Sequence, residues 1–235
     1  MKTIFISDVH LRDPADENYR RMDAFLAALL TDDVERLVIN GDFFDAWFGE
    51  NQAAEELYAP ILRRLANVRC SGIPIVFLEG NHDFVLENVL SRWGIEVIAG
   101  EWRTELYGSR VLTTHGDFIT GDKWHRRYRA GMRSPVIAGL NAIVPDAWSL
   151  KLAFGMSGAS RQRTPDVAEI IREKIRAHGR TLADVDVFIT GHTHLPMDEC
   201  VDGPHGLVRV INLGDWVTNF TYLEASEAGW ELRYA

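Results

Sequence analysis

The sequence is poor in cysteine. Cys70 and Cys200 are its two, and neither lies in a CxxC pair. That argues against a disulfide framework and for a reducing compartment, the cytoplasm. No apolar run approaches the ~18 residues that cross a bilayer. No signal peptide is expected, because MKTIFISDVH carries one Lys and only a short apolar run. There is no repeat, low-complexity tract or clear linker. Positive charge is in deficit, with 25 Lys and Arg against 34 Asp and Glu, a net −9. The 46% hydrophobic content of 235 residues suffices for a full core, so one domain spanning 1–235 is expected.

The charge is unevenly spread. From Lys123 to Arg180 there are twelve Lys or Arg and four Asp or Glu, giving +8, which leaves −17 for the remainder. An acidic body suits divalent cations. A basic segment suits anions, such as phosphates or an anionic lipid surface.

Apolar, β-branched runs at Thr3–Ser7, Arg36–Asn40, Pro74–Glu79, Arg110–Thr114 and Asp186–Thr190 predict buried strands. Between the first three, Tyr19–Leu30 and Gln52–Val68 place apolar residues on one helical face. Phe84–Trp93 predicts a short helix, and Val208–Leu213, Phe220–Glu224 and Gly229–Tyr234 predict further strands. Alternation of strand and helix argues an α/β fold, whose ligands bind beyond the carboxyl ends of the strands.

Each of the first five runs ends on a block of chemistry-bearing residues: Asp8 and His10 in SDVH, Asp42 in NGDFFD, Asn81 and His82 in GNHD, His115 in THGD, His192 and His194 in GHTH. If the chain stays extended, Asp8 and His10 project to one side, and so do His192 and His194. Each block alone has a plainer reading, as a capping Asp, a Gly-Asn turn or a core histidine. Together they supply oxygen and imidazole donors for two adjacent ions of the Mn, Fe or Zn type. His82 stands as a general acid, with Asp83 to orient it. Two metals and a proton donor make a phosphoester hydrolase.

The ordered set resembles the calcineurin-like metallophosphoesterase superfamily from Asp8 to about Asp215. The resemblance implies an α/β fold built as a four-layer α/β/β/α sandwich with an inserted helical cap. It implies that Asp8, His10, Asp42 and His194 hold one metal. It implies that Asp42, Asn81, His115 and His192 hold the other, with Asp42 bridging and a bridging hydroxide attacking phosphorus in line. GDFFDAWFG, from Gly41 to Gly49, and LGDW, from Leu213 to Trp216, are similar to the UDP-2,3-diacylglucosamine hydrolase branch of lipid A biosynthesis. That branch uses Mn and cuts its substrate to UMP and a lipid phosphate. The chain departs from it at His82, where the branch has Arg, and at Gly121-Asp122-Lys123. Another substrate class (a nucleotide, a phosphoprotein or a nucleic acid end) is the alternative, with nucleic acid the least expected partner. The oligomeric state is left open.

The cap is expected at about 123–181. Lys123, Arg126, Arg127, Arg129 and Arg133 interleave with Trp124 and Tyr128, and apolar stretches follow. Two readings stand. One is a lid that meets the substrate through Asp122, Lys123, Arg126, Tyr128, Ser160 and Arg161 and docks peripherally on an anionic membrane. The other is a solvated helix face. Pro165–Ala177 reads as an amphipathic supporting helix.

Overall fold

The computed structural model describes residues 1–120, 146, 150, 154 and 165–235. In chain order, β1 is Lys2–Ile6, α1 Glu17–Leu29, β2 Val34–Asn40, β3 Trp47–Phe48 and α2 Gln52–Cys70. Next come β4 at Ile75–Leu78, β5 at Asp83–Phe84, α3 at Glu87–Leu90, β6 at Glu96–Ile98, β7 at Trp102–Leu106, β8 at Ser109–Thr113 and α4 at Asp117–Thr120. After the undescribed stretch, α5 is Pro165–Gly179, β9 Val187–Thr190, β10 Met197–Gly203, β11 Gly206–Asn212, β12 Thr221–Ser226 and β13 Gly229–Tyr234.

Two sheets carry the architecture. The first runs β13-β12-β1-β2-β4-β6 and the second β10-β11-β9-β8-β7. In the first, β1, β2, β4 and β6 are parallel, and β12 and β13 are antiparallel additions. In the second, β8, β9 and β11 are parallel.

Strand alternation sorts the apolar side chains into three cores between four layers. Ile4, Ile6, Leu37, Ile39, Ile75 and Phe77 pack outward with Met22, Leu26, Ile61 and Leu65 of the helices. Their strand neighbours Phe5, Val38, Val76 and Leu78 meet Val111, Val187, Ile189 and Ile211 between the sheets. Leu112, Phe188, Val208 and Val210 form the third core with Ile175 of α5. The order is therefore α/β/β/α, as the family resemblance implied. The carboxyl-terminal parts of β1, β2, β4, β8 and β9 are buried on both faces, so they read in sequence as apolar runs.

Two local expectations are corrected. The helix expected at Phe84–Trp93 is shortened to α3 and a 3-10 turn at Ser91–Trp93. Asp83 and Phe84 instead pair in parallel with Trp47 and Phe48. From Pro165 the segment read as a cap is the outer helical layer of the second sheet, with α5 packing on β10 and β11. Upstream, Asp146 accepts from the Gln52 backbone N–H at the start of α2, and Leu150 and Phe154 pack on the first core. Among the described residues, no helix is long and apolar enough to cross a membrane.

Candidate functional site

The carboxyl ends of β1, β2 and β4 in one sheet and β8 and β9 in the other converge on one point. Each strand ends on one of the five sequence blocks, so the parallel topology itself gathers them. Asp8, His10 and His194 bring ligand atoms within 4.8 Å of one another, as do Asp42, His115 and His192. Asn81 Oδ1 lies 3.1 Å from His115 Nε2. His82 Nε2 lies 4.0 Å from Asp42 Oδ2.

The backbone that achieves this is not extended, contrary to the sequence expectation. Asp8, His10, Asp42, His192 and His194 all have φ between 50° and 64°. Among the described residues, five of the nine non-glycine residues with positive φ are thus ligand candidates, so backbone strain concentrates here. Such conformers cost of order 1–3 kcal/mol each and persist where surrounding structure enforces them. Here the enforcement is hydrogen bonding: Asp8 N and His10 N donate to the Gly41 and Asp42 carbonyls, so the β1 and β2 loops lock together. The alternating left-handed residues turn the side chains of each D-x-H or H-x-H pair to one side, leaving Val9 and Thr193 between them buried.

Asp83 has a different role from the one expected. Its Oδ1 accepts from the Asp42 and Gly80 N–H groups, and its Oδ2 from Phe43 and Phe44. It fixes the Asp42 turn and does not touch the His82 ring. That ring is oriented by Asp45, whose carbonyl accepts from His82 Nδ1 at 2.8 Å. A carbonyl only accepts, so Nδ1 keeps its hydrogen and Nε2 is the nitrogen turned toward Asp42.

Other residues escaped the sequence reading. The Asp45 carboxylate faces His10 Nδ1 at 3.4 Å, and Asp215 faces His194 Nδ1 at 3.7 Å. Asn40 offers its carbonyl to His115 Nδ1 at 2.9 Å. These partners leave each ring's Nε2 for the centre. The signal lay in the motifs themselves, since Asp45 closes GDFFD and Asp215 lies in LGDW. The substrate contacts expected at Asp122, Lys123, Arg126, Tyr128, Ser160 and Arg161 lie outside the described residues.

The donor set fits cations. Asp8 is fully buried, and its Oδ1 has no hydrogen-bond partner. That oxygen lies 3.3 Å from His194 Nε2, which is itself 3.2 Å from His10 Nε2. A buried anionic oxygen without a donor, beside two converging imidazole nitrogens, is costly unless a cation joins them.

Electrostatics on the metal-free protein point the same way. Burial alone would raise the pKa of Asp42, but His115, His82 and His10 overcome it and hold the carboxylate well below its ordinary range. Burial would lower His115, yet Asp42 raises it to about 10, with Asp8 and Asp117 assisting. Burial and the His115 charge push His192 down to about 4. At neutral pH the His115 Nε2 lone pair is therefore occupied by a proton, while that of His192 is ready. A divalent ion held by His115 would have to displace that proton. Raising pH removes that competitor, so affinity at this position should climb about tenfold per unit from pH 7 and level off as pH approaches 10. Calorimetry at pH 7 in buffers of differing ionisation enthalpy should show about one proton released as this position fills. A pH-independent affinity would contradict this proton assignment.

The calcineurin-like phosphoesterase family profile matches residues 1–196. Among curated relatives, the UDP-2,3-diacylglucosamine hydrolase of Marinobacter nauticus is 32% identical, covering 97% of this chain and 94% of its own. That of Stenotrophomonas maltophilia is 32% identical over 99% and 98%. That of Serratia proteamaculans is 29% identical over 99% and 98%. A match over most of the chain, together with a site that gathers these eight side chains, identifies it: the protein belongs to the calcineurin-like phosphoesterase family and is a metal-dependent phosphoester hydrolase.

Proposed function

We propose that the chain hydrolyses UDP-2,3-diacylglucosamine, or a related nucleotide-diphosphate lipid, to UMP and a lipid monophosphate. The observation that carries the two-ion chemistry is the position of Asp42. Its Oδ2 lies 3.3 Å from His115 Nε2 and 3.9 Å from His10 Nε2, between the two ligand groups, so one carboxylate can serve both. Asp8, His10, Asp42 and His194 would hold one ion, and Asp42, Asn81, His115 and His192 the other. When bound, the ions stabilise the charge that builds on the phosphoryl oxygens. Mn is our choice of ion, and Fe or Zn would suit the same donors. The relatives' names and the resemblance of GDFFDAWFG and LGDW to that branch support this substrate. The basic segment after Asp122 would draw the diphosphate and an anionic membrane surface.

In the reaction the oxygen of water bonds to phosphorus as one of its O–H bonds gives up a proton to solvent, and the phosphorus–oxygen bond of the anhydride breaks. The departing oxygen keeps the electron pair and can take the proton from His82 Nε2. A departing phosphate needs that proton little, whereas an alkoxide needs it strongly. His82, where the lipid A branch has Arg, therefore favours a second reading: a phosphodiesterase whose leaving group is an alcohol.

One set of assays separates the two. With Mn and UDP-2,3-diacylglucosamine, UMP release is expected. Strong turnover of simple diesters without UMP release would overturn the lipid substrate in favour of the second reading. His82→Ala should cost about 10²–10⁴-fold on an alkyl diester, the range of general acid catalysis, and less than about tenfold on the diphosphate. Equal losses on both would count against the proton-donor role.

A further inference from the structure

We propose that the cavity beside His115, lined by Glu79, Gly100, Glu101, Thr114 and Phe118, holds the nucleoside of the substrate, with the aromatic ring on the base and the carboxylates on the ribose hydroxyls. This rests on the nucleotide-diphosphate reading above and adds a place for one half of that molecule.

The cavity is bordered by loops of both sheets. Glu79 follows β4, Gly100 and Glu101 lie in the turn from β6 to β7, Thr114 follows β8, and Phe118 stands on α4. Its volume is about 210 Å³. Sites that enclose a whole drug-sized ligand run to about 300–1,000 Å³. This one therefore takes a part of the substrate, and two acyl chains are too large for it.

Its chemistry selects the part. Glu79 is buried and Glu101 exposed, and an anion placed between them would meet like charge. Carboxylates only accept, so they call for O–H or N–H donors. A ribose diol brings two such donors, and an acidic side chain is the usual partner of ribose hydroxyls in dinucleotide-binding folds. Glu79 is held in place because its Oε1 accepts the Leu86 N–H at 3.0 Å. Glu101 has Arg103 Nη2 at 3.4 Å, an exposed pair that contributes little and yields readily to a ligand hydroxyl.

Phe118 supplies a flat wall. Its ring meets His178 of α5 with centroids 5.5 Å apart and planes at 78°, and His178 meets Phe188 of β9 at 5.3 Å. The ring is thus braced against the second sheet while it borders the cavity. A braced aromatic ring stacks on a nucleobase through its π-face. The direction of the substrate follows. The cavity borders His115 of one ligand group, whereas His82 packs edge-on against His10 of the other, with centroids 4.9 Å apart. A nucleoside beside His115 puts its own phosphate at the ligand groups. The acidic cavity turns away the second phosphate, so the molecule binds one way round.

The test is calorimetry on the full-length chain supplied with Mn²⁺. The probes are UMP, its dideoxy analogue lacking both ribose hydroxyls, and methyl phosphate. UMP should bind at least about tenfold more tightly than the dideoxy analogue, which cannot donate to the carboxylates. The dideoxy analogue should bind at least about fivefold more tightly than methyl phosphate, which has no base to stack. Glu101→Ala should bring UMP to within about threefold of the dideoxy analogue. Phe118→Leu should bring the dideoxy analogue to within about threefold of methyl phosphate. Equal binding of UMP and the dideoxy analogue by the unmodified protein would overturn the proposal and leave the nucleotide reading standing. A preference for UMP that survives Glu101→Ala undiminished would overturn this cavity as its source. UMP bound no more tightly than methyl phosphate, with diester turnover intact, would overturn the proposal and the nucleotide reading together. If Phe118→Leu fails to fold, the analogue series and Glu101→Ala, at an exposed position, still decide.

Discussion

Asp42→Ala should leave the protein unable to hold its pair of ions and lower kcat/KM by at least about 10³-fold on every phosphoester. Stabilising the phosphoryl charge is worth several kcal/mol, and each 1.36 kcal/mol is about tenfold in rate. No neighbour can replace this side chain. Its Oδ2 faces His10, His82 and His115 at 3.9, 4.0 and 3.3 Å, while Oδ1 accepts the His82 N–H at 2.8 Å. Removing it therefore strips both candidate ligand groups of a shared carboxylate and loosens the loop that carries His82. The measurements are metal content by mass spectrometry after dialysis and steady-state kinetics on a diester. Two retained ions with undiminished turnover would sink the bridging role.

Gly80→Ala should be almost as damaging, and for a reason unrelated to charge. A Cβ at this position would sit 2.1 Å from Asp42 Oδ1, 2.4 Å from the Asp42 backbone nitrogen and 2.9 Å from Asp83 Oδ1. The backbone atom cannot move aside, and Asp83 is pinned by four N–H donors. Overpacking of this kind costs about 3 kcal/mol or more. For a chain of this size that is a fall in Tm on the order of 6–12 °C. Thermal melts followed by circular dichroism would check it, and an unchanged Tm would show that the two loops are not in such close contact. Asn81 follows directly, so metal affinity should fall in parallel.

Much of this was legible in the chain. The carboxyl-terminal parts of strands β1, β2, β4, β8 and β9 are buried on both faces and announce themselves as apolar runs, and the blocks that follow them are where the ligand candidates lie. What was hidden is conformational. Nothing in SDVH or GHTH signals left-handed backbone, because glycine, its usual marker, is absent from those positions. Tertiary hydrogen bonds from the neighbouring loop impose it. Asp83 was misread through adjacency. It begins a short strand paired with β3, and consecutive strand residues point to opposite faces, so it turns away from the His82 ring. Asp45 and Asp215 were visible as letters in their motifs, but their use depends on which ring nitrogen they face. Strands β6, β7 and β10 were missed because they are short or carry exposed polar residues, leaving no apolar run to detect.

The two sheets share the ligand candidates in a way that ties metal to the history of the chain. Under the proposed ligand sets neither ion position is complete on one sheet: the first would take Asp8, His10 and Asp42 from one and His194 from the other, and the second would be divided likewise. During synthesis Asp8, Asp42 and Asn81 emerge before β9 and the histidines after it. A nascent chain ending before Val187 can hold neither ion in full. Under that assignment, a loaded centre certifies that both sheets have been made and have met.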